Sequence, residues 1–177
     1  MPMDLNDAEV LGREDVDRAV VRIAHEIIEK GDEPDDLVVV GLQSGGAWLA
    51  ARIATTLGDL PGGCAVPVGV VDVSSFRDDA TVRPVPTVWP TDIPVDLTDR
   101  VVVLVDDVLQ TGRTVRAALE APNAYGRPRA VRLAVMIDRG HRELPIRPDH
   151  VGRNLPTHPD DEVEVGPSGV RVRRCGS

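Results

Sequence analysis

The sequence predicts an α/β fold in which a mainly parallel, twisted sheet is flanked by helices. Two runs of apolar, largely β-branched residues, at 37–42 and 101–105, have the length and composition of strands that are buried on both faces. A segment with apolar residues at helical spacing lies between them, and strands that alternate with helices form parallel sheets through right-handed connections. The 177 residues suffice for one domain with a core around the sheet, so we expect a single domain over 1–177.

Each element has its own signal. Apolar residues from Val16 to Ile28 recur every three or four positions and predict an amphipathic helix over 14–30, which Gly31 ends. Gly45 and Gly46 lead into a second apolar helix. In chain order, the further predictions are a strand at 37–42, a helix at 47–58, strands at 66–73 and 101–106, a helix from 115, a strand at 129–137 and a hairpin at 162–165 and 170–172.

Composition and charge limit the classes of protein to which this chain can belong. The net charge of −9 argues against indiscriminate binding to nucleic acid, so any RNA site must be local. Cys64 and Cys175 have no metal-ligand spacing and suggest a reducing compartment. Acids at Asp4, Asp7 and Glu9 stand where a signal peptide needs an apolar core, and no run is long enough to span a membrane. We therefore expect a cytoplasmic protein with no membrane partner.

The segment V-V-V-L-V-D-D-V-L-Q-T-G-R-T, at 101–114, carries the most specific chemical signal. A buried strand that runs into a helix turns at the carboxyl end of the sheet, where α/β proteins bind ligands. Thr111 to Thr114 place hydroxyls, a glycine and free N–H groups at a helix N-terminus, which suits a phosphate monoester. Asp106 and Asp107, on opposite faces of the strand end, suit ribose hydroxyls or a hydrated Mg²⁺. The pattern predicts a site for a phosphorylated sugar with a metal; the alternative is an acidic strand end before an ordinary capped helix.

This string resembles the phosphoribosyl pyrophosphate motif of type I phosphoribosyltransferases. R-I-A-H-E-I-I-E-K at 22–30, V-P-V-G-V-V-D-V-S-S-F-R-D-D at 66–79 and D-R-G-H-R-E-L-P-I-R at 138–147 extend the resemblance, over about 14–165, to the PyrR family of bifunctional pyrimidine operon attenuation regulators and uracil phosphoribosyltransferases. The resemblance implies the type I phosphoribosyltransferase fold, with a small hood and a C-terminal β-hairpin within 138–177. It also implies transfer of ribose 5-phosphate from phosphoribosyl pyrophosphate to uracil, which yields UMP and pyrophosphate.

The resemblance further implies roles for particular residues. Asp106 and Asp107 would hold the ribose hydroxyls as catalytic residues, and Mg²⁺ would bind through phosphoribosyl pyrophosphate, with one of these two acids as its candidate protein ligand. Asp138, Arg139 and Val163 would contact uracil. The complete predicted site for phosphoribosyl pyrophosphate and nucleotide is Ser44, Gly45, Gly46, Asp106, Asp107, Val108, Leu109, Gln110, Thr111, Gly112, Arg113 and Thr114.

One predicted anion loop departs from the family pattern. Where the family usually shows T-R-G, this chain has Ser44-Gly45-Gly46, so the glycines keep an anion-accepting backbone but the guanidinium that would neutralise pyrophosphate is missing. Such a loss costs on the order of a hundredfold in turnover. Gln110 replaces a common aromatic residue, which is a minor change because its amide still donates a hydrogen bond. A catalytically weakened, nucleotide-sensing regulator is therefore one alternative.

The segment at 74–99 resembles the family's flexible active-site loop. Its length suits a lid that excludes water from the reacting sugar. Arg77, in S-F-R-D-D, is the candidate catalytic residue that approaches the diphosphate when the lid closes. The alternative is a solvated surface loop with an ordinary arginine.

Basic residues cluster at 18–30 and 139–153 in spite of the negative net charge. Arg18, Arg22 and His25 fall on adjacent turns and share one face of the predicted helix. In the resembled family such segments form an RNA-binding face across a dimer, which binds the folded mRNA leader of pyrimidine genes when UMP or UTP is bound. We therefore expect a homodimer or higher homo-oligomer. The RNA-binding candidates are Arg18, Arg22, His25, Lys30, His141, Arg142, Arg147 and Arg153, for each of which a surface salt bridge is the alternative.

Three hypotheses of function follow. The first is a uridine-nucleotide-dependent, RNA-binding regulator that acts by transcriptional attenuation and also has uracil phosphoribosyltransferase activity. The second is a phosphoribosyltransferase without an RNA role, which the acidic balance favours. The third is a phospho-acceptor receiver domain, which explains acids at a strand end but does not explain the T-G-R-T motif.

Overall fold

The structure, a computed structural model, describes residues 7–73 and 91–175. Two short 3₁₀ turns, at Pro34–Asp36 and Ala121–Tyr125, accompany the regular elements. In the described ranges these elements are β1 (Asp7–Gly12), α1 (Arg13–Glu29), β2 (Leu37–Leu42), α2 (Gly46–Asp59), β3 (Val68–Val71), β4 (Val101–Leu109), α3 (Arg113–Glu120), β5 (Ala130–Asp138), β6 (His150–Asn154), β7 (Glu162–Gly166) and β8 (Gly169–Arg173).

Strands β2 to β6 form a parallel sheet in the order β3-β2-β4-β5-β6, which confirms the predicted α/β class. β4 lies at the centre, between β2 and β5. Every residue of β2 is buried, as are the residues of β4 from Val101 to Asp106. The continuous apolar runs exist because both faces of these strands are covered by other elements.

The two faces of the sheet carry different helices. Val39 and Val103 pack with α1 and α2 on one face, whereas Val38 and Val102 pack with α3 on the other. The chain goes from β2 to β3 on one side of β2 and then to β4 on the other side. Such a reversal of strand order leaves a crevice at the carboxyl ends of the two diverging strands. The fold therefore places the loops that follow β2 and β4 side by side.

Helix α1 confirms the predicted amphipathic segment. Its buried residues are Val16, Ala19, Val20, Ile23, Ala24 and Ile27. Full burial of a side chain the size of Ile23 or Ile27 contributes about 1.5–3 kcal/mol, so this stripe holds the helix on the sheet. The helix ends at Glu29, and Gly31 follows with a φ of 83°, a conformation that favours glycine.

The structure differs from the prediction at several strand boundaries. β4 continues to Leu109 because its pairing with β5 extends to Leu109 and Asp138, so the two acids lie inside the strand near its end. β3 is shorter than predicted and spans only Val68–Val71. β6 was not expected: His150–Asn154 lies within the segment interpreted as a hood, yet it pairs with β5 as the edge of the main sheet. Its sequence, H-V-G-R-N, has too few apolar residues to signal a strand.

A separate antiparallel sheet has the order β1-β8-β7. The hairpin of β7 and β8 confirms the predicted strands around G-P-S-G. β1 was missed, because its pairing partner β8 lies at the far end of the chain. Val170 of β8 is fully buried and joins the core under α1, which fixes this sheet to the domain. Among the described residues, no helix has the length and apolar character needed to cross a membrane.

Candidate active site

The two acids of β4 lie on opposite sides of the sheet. Asp106 is only 7% exposed and lines a cavity on the side of α3. The carboxylate of Asp107 lies on the other side, over Gly45 at the start of α2. The Asp106 carboxylate accepts the N–H of Asp107 at 2.9 Å, and that of Asp107 accepts the N–H of Val108 at 2.8 Å. The alternation of strand residues thus gives the two carboxylates different surroundings.

The loop after β4 forms a cavity of about 480 Å³. Gly112 immediately precedes α3 with a φ of 92°, which favours glycine, and an added Cβ would lie 3.3 Å from the Ile146 side chain. The first turn of α3 contains no acid, so its positive end and the side chain of Arg113 favour an anion. The lining residues are Asp106, Val108, Leu109, Gln110, Thr111, Gly112, Arg113, Thr114, Val115 and Glu143. The structure therefore brings Asp106 and the predicted phosphate loop together in one cavity.

Glu143 was not among the predicted site residues. Its carboxylate accepts a hydrogen bond from Nε of Arg113 at 2.7 Å, and its side chain is 53% exposed. Its backbone N–H donates to the carbonyl of Thr111 at 3.0 Å. The sequence carried a faint signal, since Glu143 is the one acid inside R-G-H-R-E-L-P-I-R. Only the fold brings it to the phosphate loop.

Arg142 joins the predicted phosphate loop to the end of β5. Its guanidinium donates to the carbonyl of Gln110 at 3.0 Å, to the carbonyl of Ile146 at 2.8 Å and to the Asp138 carboxylate at 2.6 Å. Burial alone would raise the pKa of Asp138, but the hydrogen bonds from Arg142 and from the Gly140 N–H outweigh it and hold that pKa below 3.8. The guanidinium of Arg142, predicted to bind RNA, thus binds groups of the protein itself.

The loop after β2 differs from the loop after β4 in its backbone conformation and in the charges beside it. Gly45 adopts right-handed helical dihedrals, so no backbone strain calls for glycine there. A Cβ at Gly45 would instead overlap the carboxylate of Asp107, and one at Gly46 would overlap the carbonyl of Val105. Residues 43–51 contain no Lys or Arg. Gly45 therefore lies beside the Asp107 carboxylate with no cation in its own loop, whereas Thr111 and Gly112 share a cavity with Arg113 and with the carboxylates of Asp106 and Glu143.

The predicted uracil contacts are spread around the end of β5. Arg139 is 6% exposed, and its guanidinium donates to Thr157 Oγ1 at 2.9 Å and to the carbonyls of His158 and Asp161. Burial lowers the pKa of Arg139, against the opposing effect of Asp161. Its side chain thus holds the segment after β6 in place. Val163, on β7, is half-buried against the main core.

Three of the predicted RNA-binding arginines line one groove between α1 and β6. The groove has a volume of about 280 Å³ and is lined by Leu11, Asp15, Arg18, Ala19, Arg22, Gly152 and Arg153. Arg22 donates to the carbonyls of Val151 and Gly152 at 3.0 and 2.6 Å and to Glu26 at 2.7 Å. Arg18 pairs with Asp15. The pKa of Asp15 is lowered mainly by the hydrogen bond that its carboxylate accepts from the Gly12 N–H and, to a smaller extent, by the one from Arg18.

The remaining candidates lie elsewhere. Lys30 pairs with Asp149 at 3.1 Å, and a ring nitrogen of His141 lies 2.7 Å from the carbonyl of Thr157. His25 and Arg147 are exposed. Arg77 and most of the predicted lid at 74–99 lie outside the described residues.

Comparison with known proteins gives consistent results. Residues 9–170 match the model of the family described as the phosphoribosyl transferase domain. Proteins named bifunctional protein PyrR are similar over most of the chain. That of Roseiflexus sp. is 49% identical and the match covers 96% of this chain and 97% of the relative. That of Chloroflexus aurantiacus is 52% identical, with 90% and 88% covered, and that of Deinococcus radiodurans is 50% identical, with 89% and 86% covered.

Solved structures share the fold at low sequence identity. A hypoxanthine-guanine phosphoribosyltransferase from Bacillus anthracis superposes with a TM-score of 0.67 at 20% identity, with 84% of each chain covered. A structure from a study of an invariant aspartic acid in such enzymes gives a TM-score of 0.72 at 19% identity, with 94% of each chain covered. These likenesses concern the arrangement of strands and helices.

Proposed function

The chain belongs to the phosphoribosyl transferase domain family and, within it, to the bifunctional PyrR proteins, and from this premise we propose that it is a uracil phosphoribosyltransferase that also regulates pyrimidine genes by binding RNA. The reaction transfers ribose 5-phosphate from phosphoribosyl pyrophosphate to N1 of uracil and releases pyrophosphate. The observation that carries the enzymatic half is the cavity in which Asp106 and the loop 110–114 meet.

The residues of this cavity suit the two ends of a ribose 5-phosphate. The N–H groups at the start of α3 and the guanidinium of Arg113 would bind the 5′-phosphate, because charge-assisted hydrogen bonds to phosphate are strong. Asp106, which lines the cavity, would accept hydrogen bonds from the ribose hydroxyls, and Asp107 would face the side of the crevice next to the loop after β2. The base would then lie toward the end of β5, where Arg142 holds Asp138 at a fixed position beside Gln110. Orientation by these groups, rather than a protein nucleophile, supplies the catalysis.

A divalent cation fits this site only as a partner of the substrate. The described residues contain no group of three or more His, Cys, Asp or Glu side chains that could hold a metal. Two neighbouring carboxylates, one of them partly exposed, are nevertheless the hard oxygen ligands that Mg²⁺ takes when water and phosphate complete its shell. Asp107 or Asp106 would hold the ion, which would supply positive charge to the leaving pyrophosphate.

Steady-state formation of UMP from uracil, phosphoribosyl pyrophosphate and Mg²⁺ tests the enzymatic half. We expect turnover that falls at least tenfold in Asp106→Asn, whose buried carboxylate lines the cavity, and that stays unchanged in Asp59→Asn at the exposed end of α2. Negligible turnover that Gly45→Arg restores would identify the catalytically weakened, nucleotide-sensing regulator instead. A protein that neither turns over nor binds UMP would contradict the assignment.

The groove of Arg18, Arg22 and Arg153 supports the RNA-binding half. Its arginines are concentrated on one surface of a protein whose net charge is −9, which is the arrangement expected of a local RNA site. Arg22 is held by two carbonyls of the edge strand and by Glu26, which also binds His150, so its guanidinium is fixed before RNA arrives. The ligand would be the folded leader of a pyrimidine-gene mRNA, bound in the presence of UMP or UTP.

Binding of such a leader transcript at several salt concentrations tests this half. Removal of one phosphate contact lowers the salt slope by about 0.7–0.9, depending on whether a loop or a stem is contacted, so Arg153→Ala should show a decrease of that size. Arg116→Ala is the matched control, because Arg116 is exposed on α3, on the opposite face of the sheet. Equal slopes for the two variants would favour a phosphoribosyltransferase without an RNA role.

We also infer a homodimer or higher homo-oligomer, since one groove of about 280 Å³ is small for a folded stem and loop and two copies would extend the surface. Light scattering at working concentration checks this. A monomer would contradict it.

A further inference from the structure

His150 is a buried titratable side chain that the proposed reaction does not use. It is the first residue of β6, is 2% exposed and pairs in register with Ala134 of β5, which belongs to the core under α1. Strand alternation therefore turns its ring toward α1. There its Nδ1 lies 3.1 Å from a carboxylate oxygen of Glu26. A buried histidine is thus joined to the helix that carries Arg22.

The surroundings of His150 identify its tautomer. Burial alone would raise the pKa of Glu26, but the hydrogen bonds from Arg22 and His150 outweigh it and lower that pKa. The carboxylate is therefore ionised and can only accept, so Nδ1 of His150 carries the proton between them. Its Nε2 is buried and has no hydrogen-bond partner among the described residues. The ring thus makes one hydrogen bond to the described part of the chain, and it goes to Glu26.

Stability does not account for a histidine at this position. A buried polar nitrogen without a partner costs free energy, and an apolar side chain of similar size avoids that cost. The residues of β5 in the core on this face, Ala134 and Met136, are apolar and fully buried. What an apolar residue at position 150 could not reproduce is the hydrogen bond to Glu26.

Glu26 divides its two oxygens between His150 and Arg22. Oε2 is the atom next to His150, and Oε1 accepts a hydrogen bond from Nη1 of Arg22 at 2.7 Å. Nη2 of Arg22 donates to the carbonyls of Val151 and Gly152, which directly follow His150 in β6. The Nε–H of Arg22 makes no hydrogen bond within the described ranges, so it is left for a phosphate oxygen. The guanidinium that lines the groove is therefore held at both of its terminal nitrogens.

We propose that His150 is a positioning residue for RNA binding, which through Glu26 holds the guanidinium of Arg22 in the orientation that meets a phosphate of the RNA. The inference rests on the proposed function, because it takes the groove of Arg18, Arg22 and Arg153 as the RNA site. The ring itself does not touch RNA, since it is 2% exposed. Without its hydrogen bond Glu26 is free to turn, and Arg22 must then be ordered when the RNA binds.

Binding of the leader transcript in the presence of UMP, with urea denaturation of each variant, tests this inference. His150→Leu removes the hydrogen bond and fills the buried position. RNA affinity should fall about three- to tenfold, the cost of ordering one long side chain on binding, while the unfolding free energy does not fall. His150→Asn is the conservative variant, because its amide places an N–H near the position of Nδ1, and it should restore affinity to within about twofold. A merely structural role would instead make Asn, the more polar residue, the weaker RNA binder of the two.

The Arg22→Ala background shows whether the effect passes through Arg22. There His150→Leu should change RNA affinity at low salt by less than about twofold, because no guanidinium is left to orient. An undiminished loss in that background would overturn the inference, as would equal affinity of His150→Leu and the natural chain.

A second variant serves if His150→Leu does not fold. His150→Gln keeps an amide but places it further from the backbone than Nδ1, so it should bind RNA less tightly than His150→Asn. Equal affinity of these two variants would contradict a role for the Nδ1 hydrogen bond. Failure of the natural chain to bind the transcript at all would overturn the regulatory half of the proposed function, and this inference with it.

Discussion

The loops after β2 and β4 have similar positions in the fold, but they present different charged side chains to a ligand. Each follows a buried strand of one parallel sheet, and each leads through a glycine into the N-terminus of a helix at the same crevice. Loop 110–114 adds Arg113, which pairs with Glu143, and is fastened by the segment 138–147, whereas loop 43–46 has no cation and has the carboxylate of Asp107 against its backbone. A helix N-terminus is thus only a starting point for anion binding, and the side chains that the fold brings to it decide which anion is bound.

Among the changes that test the difference between the two loops, removal of Arg113 should have the largest effect on ligand affinity. Arg113→Ala deletes the guanidinium of loop 110–114, the proposed 5′-phosphate site, and hydrogen bonds between a charged donor and phosphate contribute about 1.5–3 kcal/mol. We expect UMP affinity to fall on the order of thirtyfold by calorimetry. Arg116→Ala, one turn further along α3 and exposed, should leave the affinity unchanged. Similar losses in both variants would mean that only long-range charge matters.

Alanine at the two helix-starting glycines should separate backbone strain from side-chain contact. Gly112 has a φ of 92° and lies against Ile146, so Gly112→Ala should cost about 1–3 kcal/mol of unfolding free energy. Gly45 has helical dihedrals and meets only the movable Asp107 carboxylate, so Gly45→Ala should cost less than about 0.5 kcal/mol. Urea denaturation of both variants checks the difference. Equal costs would contradict the described dihedrals.

Glu143→Gln should raise UMP affinity, by a smaller factor than that by which Arg113→Ala lowers it. The Glu143 carboxylate lines the cavity at loop 110–114 and binds Arg113, so it would both repel a bound phosphate and compete with it for Arg113. We expect UMP to bind about threefold more tightly to the variant at low salt, with the gain reduced by screening at high salt. Glu120→Gln, at the exposed end of α3, is the control. Weaker UMP binding would show that Glu143 orients Arg113 for the ligand.

The smallest effect concerns how the unfolding free energy depends on pH through Asp138, in the segment 138–147 that fastens loop 110–114. The pKa of Asp138 lies below 3.8 because the hydrogen bonds from Arg142 and Gly140 favour the carboxylate more than burial opposes it. A lowered pKa in the folded state stabilises the protein above pH 3.8, and this stabilisation is lost as the pH falls through the folded pKa. Asp138→Asn should therefore flatten the acid limb of a plot of unfolding free energy against pH. An unchanged acid limb would show that the Arg142 hydrogen bond contributes nothing to stability.

The strands and helices of the main sheet were largely predictable, because local periodicity expresses burial. The run at 37–42 is a strand buried on both faces, and the stripe from Val16 to Ile28 lies in a helix with one buried face. β1 and β6 were missed because they are short edge strands whose pairing depends on distant partners. The hairpin of β7 and β8 was found because its turn residues are local.

The sequence by itself determined that Asp106 and Asp107 face opposite ways and that a glycine-containing turn opens a helix after them, since a strand alternates its side chains and a glycine favours such a turn. Only the tertiary structure decided which neighbours these residues have. Asp107 lies over Gly45 and Glu143 reaches Arg113 because strand order and helix packing join segments far apart in the chain. Those contacts set the charge of each loop, and charge, unlike periodicity, cannot be assigned to a site before the chain has folded around it.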